Sequence, residues 1–489
     1  MMSQPSFGEE RLYINGELVD AEGGRVYDNI NPATEEVIGV GPDASLNDAE
    51  NALAAARNAF DNTDWSSNHA LRLKVLRRFV KVMQDNIEEL RQASQREVGA
   101  TRCFALGPQC DGPVSMASWP LDFLENFQWE RGIGEFEVMG IKSKRLVWKE
   151  AAGVVAAITP WNFPIQINLA KCMPALAAGC TVVLKAAPDT PWTATLLGRY
   201  AKEAGLPAGV FNVLTASDPA EIGNFLTTDP RVDVVSFTGS TAVGKHIMKN
   251  AADTVKRVFL ELGGKSAMVI LDDADLASSL FGVFSIGANA GQGCAITTRL
   301  LIPKSKQAEA EEILKSYIGM LGYGDPESEA DMMGPLINAK QRARVLAYIE
   351  KGKEEGARLL IGGGRPAHLE KGYYVEPTVF VDVDNSMTIA QEEIFGPVLS
   401  VIAYEDEADA LRIANDSIYG LSGAVYSASE ERALNFARKV RTGTMNVNGG
   451  NFLGPDAPFG GYKQSGVGRE MGPEGFEEYL ETKTVAIAV

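Results

Sequence analysis

Short apolar runs alternate with longer helical patterns from Gly153 onward. In the first series the apolar runs lie at 153–158, 181–184, 211–214, 232–237 and 258–262. Strands that alternate with helices are typical of βαβ units, whose strands are parallel and whose helices cover the sheet. A second series of this kind begins at 267–271. The 489-residue chain is therefore predicted to be an α/β protein with two α/β domains, each built on its own sheet.

Helical patterns also lie before the first series, at 48–60 and 69–90, and further segments suggest a small third sheet. The second series continues with strand-like runs at 299–302, 373–380, 399–404, 423–426 and 443–447, and helical patterns lie between them at 307–321, 341–355, 407–415 and 430–440. Asn15-Gly16 predicts a tight hairpin near the N-terminus. The segments 136–138 and 142–149 flank Gly140 and resemble a two-stranded ribbon. Because an isolated ribbon is only marginally stable in water, we expect it to pair with the alternating tail 483–489.

Acidic residues dominate the charge of the chain, with Asp plus Glu 64 against Lys plus Arg 46 and a formal net charge of -18. Such a balance repels phosphate backbones and anionic lipid, so nucleic-acid and membrane partners are not expected. The most apolar stretch, 165–184, is interrupted by Lys171, Pro174 and Gly179. It does not supply the ~20 apolar residues of a membrane span.

The scarcity of histidine and the odd cysteine count narrow the chemistry. Five cysteines in a long chain do not form a disulfide framework, and three scattered histidines do not form a metal site. The N-terminus lacks the basic and apolar regions of a secretion signal. We therefore expect a cytoplasmic protein with no metal centre.

The segment Gly239-Ser-Thr-Ala-Val-Gly-Lys245 follows a predicted strand and opens a helix. The exposed N–H groups at such a helix start can bind an anion. The spacing is that of a P-loop, but His246 stands where that loop needs Ser or Thr for Mg²⁺. The residues alone leave two readings open, a phosphate site without Mg²⁺ and an ordinary turn between strand and helix.

Three further segments carry candidate catalytic side chains. Cys294 follows two glycines, which leave room for a ligand at the sulfur, although most free cysteines are buried hydrophobes. Glu261 ends an apolar run beside two glycines and is either an exposed turn residue or a buried base. Asn162, in Pro160-Trp-Asn-Phe-Pro164, is either an oxyanion donor or part of a rigid proline corner.

These motifs, in this order, resemble the aldehyde dehydrogenase superfamily from about residue 10 to the C-terminus. The matching segments are 160–164, 237–244, 261–265, 291–294, 392–398, 446–448, 458–466 and 468–472. The resemblance implies two Rossmann-like domains and a small β bridging arm. It assigns residues 1–128 and 151–262 to NAD(P) binding, 263–471 to the catalytic domain, and 129–150 with 472–489 to the arm. A bridging arm of this kind implies a homodimer or homotetramer.

The resemblance implies a non-acylating, NAD(P)-dependent enzyme. By likeness to the family, Cys294 attacks the aldehyde, and Asn162 with the backbone N–H of Cys294 holds the oxyanion. Glu261 activates water to hydrolyse the thioester, whereas members that transfer the acyl group to CoA lack this base. Lys171 and Glu470 match positions thought to relay protons from Glu261.

The resemblance also implies a cofactor site. The matching residues are Ile158, Trp161, Lys185, Pro188, Phe237, Gly239, Ser240, Leu262, Glu393 and Phe395. Many members that prefer NAD carry a glutamate three residues after the lysine, where this chain has Pro188. NAD is nevertheless expected, with NADP as the alternative, because no arginine cluster awaits a 2′-phosphate.

The substrate channel of relatives is lined by residues that match Phe163, Ala170, Ala288, Leu453 and Phe459. Alanine at two of these positions predicts a roomy, apolar channel, and no charge is present to bind an anionic semialdehyde. The expected substrate is a hydrophobic aldehyde, either aromatic or medium to long aliphatic. The alternatives are a semialdehyde dehydrogenase and a binding or structural protein without turnover.

Overall fold

The computed structural model describes residues 8–489. Residues 1–7 lie outside the described residues. The prediction that the N-terminus carries no secretion signal concerns mostly these residues. The strands are β1 (Leu12–Ile14), β2 (Glu17–Val19), β3 (Val26–Ile30), β4 (Val37–Pro42), β5 (Glu130–Val138), β6 (Ile141–Ala151), β7 (Val154–Ile158), β8 (Thr181–Lys185), β9 (Phe211–Leu214), β10 (Val234–Thr238), β11 (Arg257–Glu261), β12 (Ser266–Ile270), β13 (Thr297–Pro303), β14 (Arg358–Ile361), β15 (Thr378–Val381), β16 (Val398–Tyr404), β17 (Gly423–Tyr426), β18 (Asn446–Val447), β19 (Gly466–Val467) and β20 (Leu480–Ala488).

The α-helices are α1 (Leu46–Asn62), α2 (His69–Asp85), α3 (Ile87–Ala93), α4 (Arg102–Ala105), α5 (Asp111–Met116), α6 (Trp119–Glu125), α7 (Pro164–Ala178), α8 (Trp192–Ala204), α9 (Pro219–Thr228), α10 (Thr241–Ala251), α11 (Leu276–Leu280), α12 (Gln307–Gly319), α13 (Ala339–Glu354), α14 (Thr388–Gln391), α15 (Glu407–Asn415), α16 (Glu430–Ala437) and α17 (Gly472–Glu477).

The first sheet has the strand order β19-β11-β10-β7-β8-β9-β1-β2. Its central strands, from β11 to β9, are parallel. All residues of β7, β8 and β10 are buried, as expected for a parallel sheet with both faces covered. The chain runs outward through β8 and β9 and then returns to the other side of β7 for β10. The strand order therefore reverses between β7 and β10.

The second sheet has the order β14-β15-β16-β13-β12-β17-β18. Only the edge strand β14 is antiparallel to its neighbour. The expected fold class, α/β with two such sheets, is confirmed. The division into domains stays a prediction, and β19, from the segment assigned to the catalytic domain, lies on the edge of the first sheet.

The third sheet has the order β20-β6-β5 and is antiparallel throughout. The predicted pairing of ribbon and tail thus occurs within one chain. Met139 and Gly140 make the turn with positive φ angles of 51° and 75°. The outer edge of β5 pairs with no other strand of the described residues, and Phe136 and Val138 on it are exposed. The homodimer or homotetramer stays a prediction.

Some predicted elements differ in extent from those observed. The helix expected over 69–90 is split at Asn86, whose side chain donates to the Val82 carbonyl at 2.9 Å. The strand expected over 373–380 begins only at Thr378, because the Tyr373 amide donates instead to the Pro32 carbonyl. The strand expected over 443–447 is limited to β18, because the Gly443 amide donates to the turn before β17. In each case a single hydrogen bond that the hydrophobic pattern does not reveal sets the boundary.

Candidate active site

The carboxyl ends of β7, β8, β10 and β11 meet at one edge of the first sheet. Ile158 pairs in register with Lys185 on one side and with Phe237 on the other, and Phe237 pairs with Leu260. Ligands of open parallel sheets bind where the strand order reverses, at the carboxyl ends. Here that point lies between β7 and β10, so the topology brings three predicted cofactor residues to the expected crevice.

The N-terminus of α10 points from the same edge. Ser240 is its N-cap, with Oγ accepting from the Val243 amide at 3.4 Å. A Cβ on Gly239 would lie 2.5 Å from the Phe237 ring, so only glycine fits there. A Cβ on Gly244 would likewise lie 2.6 Å from Leu262, which fixes how closely the helix approaches the sheet. The result is an 11-residue helix whose first N–H groups are available to an anion.

Lys185, at the end of β8, is a buried cation without a hydrogen bond to the described residues. Burial lowers the pKa of its ammonium group to about 8, while the charges of Asp218 and Asp189 act in the opposite direction. Pro188, three residues later, is half-buried. The ammonium group is thus placed to bind an incoming polar ligand.

Glu393 and Phe395 approach this edge from the second sheet. The Gly264 amide donates to Glu393 Oε1 at 3.0 Å, and burial raises the pKa of the Glu393 carboxyl to about 7. Phe395 has a φ of 62°, and its ring meets Trp161 edge to face at a centroid distance of 5.4 Å. The two residues therefore close the crevice opposite the strand ends.

The backbone before Cys294 is unusual. Asn289, Ala290 and Gly291 have consecutive positive φ angles of 47°, 53° and 73°. Non-glycine residues rarely adopt this conformation, and such strain is concentrated at functional sites. A Cβ on Gly264 would lie 2.4 Å from the Cys294 carbonyl oxygen, so glycine is needed beside it. These turns place Cys294, which is half-buried, at the wall of a cavity.

Asn162 is held by a network that the sequence did not reveal. Its Nδ2 donates to the Gln292 carbonyl at 3.0 Å, which leaves its second amide hydrogen for a ligand. The backbone carbonyl of Asn162 accepts from Gln109 Nε2 and Asn289 Nδ2, both at 2.8 Å. Gln292 Oε1 in turn accepts from the Ile337 amide at 2.9 Å. Gln292 stands two residues before Cys294, but no sequence signal marks Gln109.

Glu261 and Cys294 face each other in the interior. Burial raises the pKa of the Glu261 carboxyl well above its usual value, and the charge of Glu470 raises it further. Burial likewise raises the pKa of the Cys294 thiol, with Glu261 as the next cause. One oxygen of Glu261 has no hydrogen-bond partner among the described residues. A buried carboxyl with a raised pKa beside a thiol can accept and donate protons as an acid-base group.

A buried chain of polar groups continues behind Glu261. Lys171 Nζ donates to Glu470 Oε1 at 2.5 Å and to Ser236 Oγ at 3.1 Å. The Tyr479 hydroxyl donates to Ser236 Oγ at 3.3 Å. Lys171 lies on α7 and Glu470 lies near the C-terminus, so only the tertiary fold brings them together.

A cavity of about 530 Å³ opens in front of Cys294. All the predicted channel residues line it, together with Asn162, Glu261, Cys294 and Glu470. Phe452, which the sequence analysis missed, stacks on Phe459 at an interplanar angle of 3°. Of the described residues that line the cavity, none is lysine, arginine or histidine.

Comparison with protein families decides which kind of protein carries this site. The model of the aldehyde dehydrogenase family matches residues 18–485. The chain belongs to this family. The resemblance stated from the sequence is therefore confirmed, and the protein is an oxidoreductase rather than a P-loop NTPase.

Individual relatives of this aldehyde dehydrogenase cover nearly its whole length. A 3-succinoylsemialdehyde-pyridine dehydrogenase of a Pseudomonas species is 44% identical over 478 residues, or 97% of this chain and 98% of the relative. The aldehyde dehydrogenase of Mycobacterium tuberculosis complexed with NAD+ superposes with a TM-score of 0.93 at 42% identity, covering 97% of each chain. Aldehyde dehydrogenase C of Pseudomonas syringae, as a cysteine-to-alanine mutant with NAD+ and octanal, superposes with a TM-score of 0.91 at 40% identity. It covers 99% of this chain and 97% of its own.

The other cysteines of this aldehyde dehydrogenase differ from Cys294. Cys172 and Cys180 are buried, as most free cysteines are, and burial raises the pKa of the Cys180 thiol to about 11. Cys103 is exposed and lies outside the cavity lining. Within residues 8–489 no group of three or more potential ligands could hold a metal ion. Over the same range every helix is too short or too polar to cross a bilayer.

Proposed function

We propose that this aldehyde dehydrogenase oxidises neutral, apolar aldehydes to carboxylic acids with NAD+ as the hydride acceptor. The observation that carries the proposal is the cavity, because it leads to Cys294 and contains no cation among its described lining residues. A carboxylate at the far end of a semialdehyde would lose its hydration there without gaining a partner. The pyridine compound in the name of one relative and the octanal bound to another support this substrate class.

The first step is the attack of Cys294 Sγ on the aldehyde carbon. The nearest group that can accept the thiol proton is Glu261, which faces the sulfur. The second amide hydrogen of Asn162 and the Cys294 backbone N–H are the proposed donors to the oxyanion. The Asn162 side chain is oriented beforehand by its bond to the Gln292 carbonyl, and two bonds to its backbone carbonyl fix the loop that carries it.

The residues at the crevice fit a dinucleotide. Lys185 offers an unpaired ammonium group, Glu393 a carboxylate, and the start of α10 free N–H groups for a pyrophosphate. NAD+, when bound there, accepts the hydride released from the aldehyde carbon. The acyl group then remains on Cys294 as a thioester.

Glu261 is the proposed base for hydrolysis of that thioester. It removes a proton from water as the water attacks the acyl carbon, and the thiolate leaves. The adjacent ion pair of Lys171 with Glu470 is the proposed route for the proton toward Ser236 and Tyr479. The product is the carboxylic acid.

Asn162→Ala is expected to lower kcat by roughly 10²–10³-fold, because one oxyanion donor is lost. Steady-state NADH formation measures the effect. Asn58→Ala, which removes an exposed asparagine from α1, is the control and should retain full activity. An unchanged kcat in the folded Asn162→Ala protein would remove Asn162 from the oxyanion site.

The cavity predicts at least a ten-fold higher kcat/KM for octanal or benzaldehyde than for succinic semialdehyde, since ~1.4 kcal/mol corresponds to ten-fold. Leu453 lines the cavity and is 36% exposed, so it can carry a cation at the mouth. Leu453→Arg should shift the ratio toward the semialdehyde, and Leu453→Met should not. A wild-type preference for the semialdehyde would refute the apolar substrate class but not the dehydrogenase activity.

A further inference from the structure

The loop after β8 carries no charge at position 188. Three residues after Lys185 stands Pro188, which has no charged side chain. Position 188 therefore cannot repel a 2′-phosphate. Discrimination between NAD and NADP in this crevice has to come from another acidic side chain near Lys185.

The neighbouring strand end provides an acidic side chain. Lys185 pairs in register with Leu214 at the end of β9, and Asp218 follows Leu214 by four residues in the loop that opens α9. Asp218 is exposed, and its charge is the largest Coulombic influence on the Lys185 ammonium group. The strand register and this influence together place the carboxylate near the cation.

The other nearby carboxylates are already engaged. Asp189 accepts from Asn338 Nδ2 at 2.8 Å, and burial raises the pKa of its carboxyl. Asp43 accepts from both the amide and the hydroxyl of Ser217, at 2.9 and 3.0 Å. Asp218 accepts only from the Ala220 amide, at 2.9 Å. Its second carboxylate oxygen remains free to face a cofactor.

We propose that Asp218 determines the cofactor specificity of this enzyme, by repelling the 2′-phosphate of NADP from the space beside Lys185. A 2′-phosphate carries close to two negative charges, whereas the 2′-hydroxyl of NAD carries none. Asp218 lies in the β9–α9 loop and therefore exerts, from that position, the repulsion that a carboxylate at position 188 would exert. This inference rests on the proposed function insofar as it takes the crevice to be a dinucleotide site.

Asp218→Asn tests the charge without removing the helix cap, because asparagine is as good an N-cap as aspartate. We expect the ratio of kcat/KM for NADP to that for NAD to rise about ten-fold, the effect of removing one like charge at close range. Glu221→Gln removes a charge from the first turn of the same helix and should leave the ratio unchanged. An unchanged ratio in Asp218→Asn, or an equal rise in Glu221→Gln, would overturn the proposal.

A binding measurement separates this inference from the proposed function. Calorimetric titration of the wild-type protein should show that 2′,5′-ADP binds more weakly than 5′-AMP. In Asp218→Asn the difference in affinity between the two nucleotides should be smaller. This result would support the role of Asp218 even if no aldehyde were oxidised. The role of Asp218 would be refuted if the difference in affinity between the two nucleotides narrowed equally in Glu221→Gln, or did not narrow in Asp218→Asn. This holds even if aldehyde oxidation with NAD were normal.

Discussion

Cys294→Ala is expected to lower aldehyde-dependent NADH formation by about 10⁴-fold or more, since no other group can form the covalent intermediate. Cys294 is the one cysteine in the lining of the cavity, as far as the described residues show. The other buried cysteines have no access to it. Incubation with octanal and NAD+, followed by intact-protein mass spectrometry, should show no acyl adduct on the variant.

The control for this experiment is Cys103→Ser. Cys103 is exposed and lies outside the cavity, so its removal should leave both turnover and acylation unchanged. A Cys294→Ala protein that binds NAD+ normally and still forms NADH would disprove the thioester mechanism. Loss of NAD+ binding in that variant would instead point to a general structural defect, which the melting temperature would reveal.

Glu261→Gln is expected to lower steady-state turnover by roughly 10²–10⁴-fold, the usual contribution of a positioned base. Glutamine has nearly the same shape but cannot remove a proton from water. Because Glu261 is also the proposed acceptor of the thiol proton, the first burst of NADH should be slower, but the acyl-enzyme should accumulate after it, and mass spectrometry should detect it. Glu312→Gln, at an exposed position on α12, is the matched control and should turn over normally.

The raised pKa of Glu261 gives this prediction a pH dependence. A base acts only when it is deprotonated, and burial holds the pKa of Glu261 well above the usual value. Hydrolysis of the acyl-enzyme should thus be slow at mildly acidic pH and rise as pH increases through that pKa. The rise should be absent in Glu261→Gln. NADH formation without accumulation of the acyl-enzyme, or a pH rise that persists in Glu261→Gln, would refute Glu261 as the base for hydrolysis.

Much of the fold was accessible from local patterns. The runs near 153–158, 181–184 and 423–426 became β7, β8 and β17 within one residue at each end, because buried parallel strands are short and uniformly apolar. The pattern could not show that Asn86 would split a helix or that Tyr373 would bond to Pro32. Those boundaries depend on single hydrogen bonds, one from Asn86 to a carbonyl four residues earlier and one from Tyr373 to Pro32, which is distant in the chain.

The sequence also predicted candidate site residues, but not the side chains that hold them in position. The motifs around Cys294, Glu261 and Asn162 are formed by neighbouring residues and can therefore be recognised in the sequence. Gln109 has no motif, and its role became visible only when α4 and α5 placed it against Asn162. Phe452 was missed for the same reason, since its stacking on Phe459 depends on a loop conformation.

By itself, the sequence determined the fold class, the family and the chemical groups available, because periodicity and short motifs are properties of neighbouring residues. The tertiary structure alone decided which of these groups meet. Lys171 and Glu470, 299 positions apart, form a buried ion pair, and Asp218 follows β9, whose end pairs with Lys185 at the end of β8. Such contacts leave no local pattern, because burial, strand order and long-range packing set the distances and shift the pKa values that the chemistry requires.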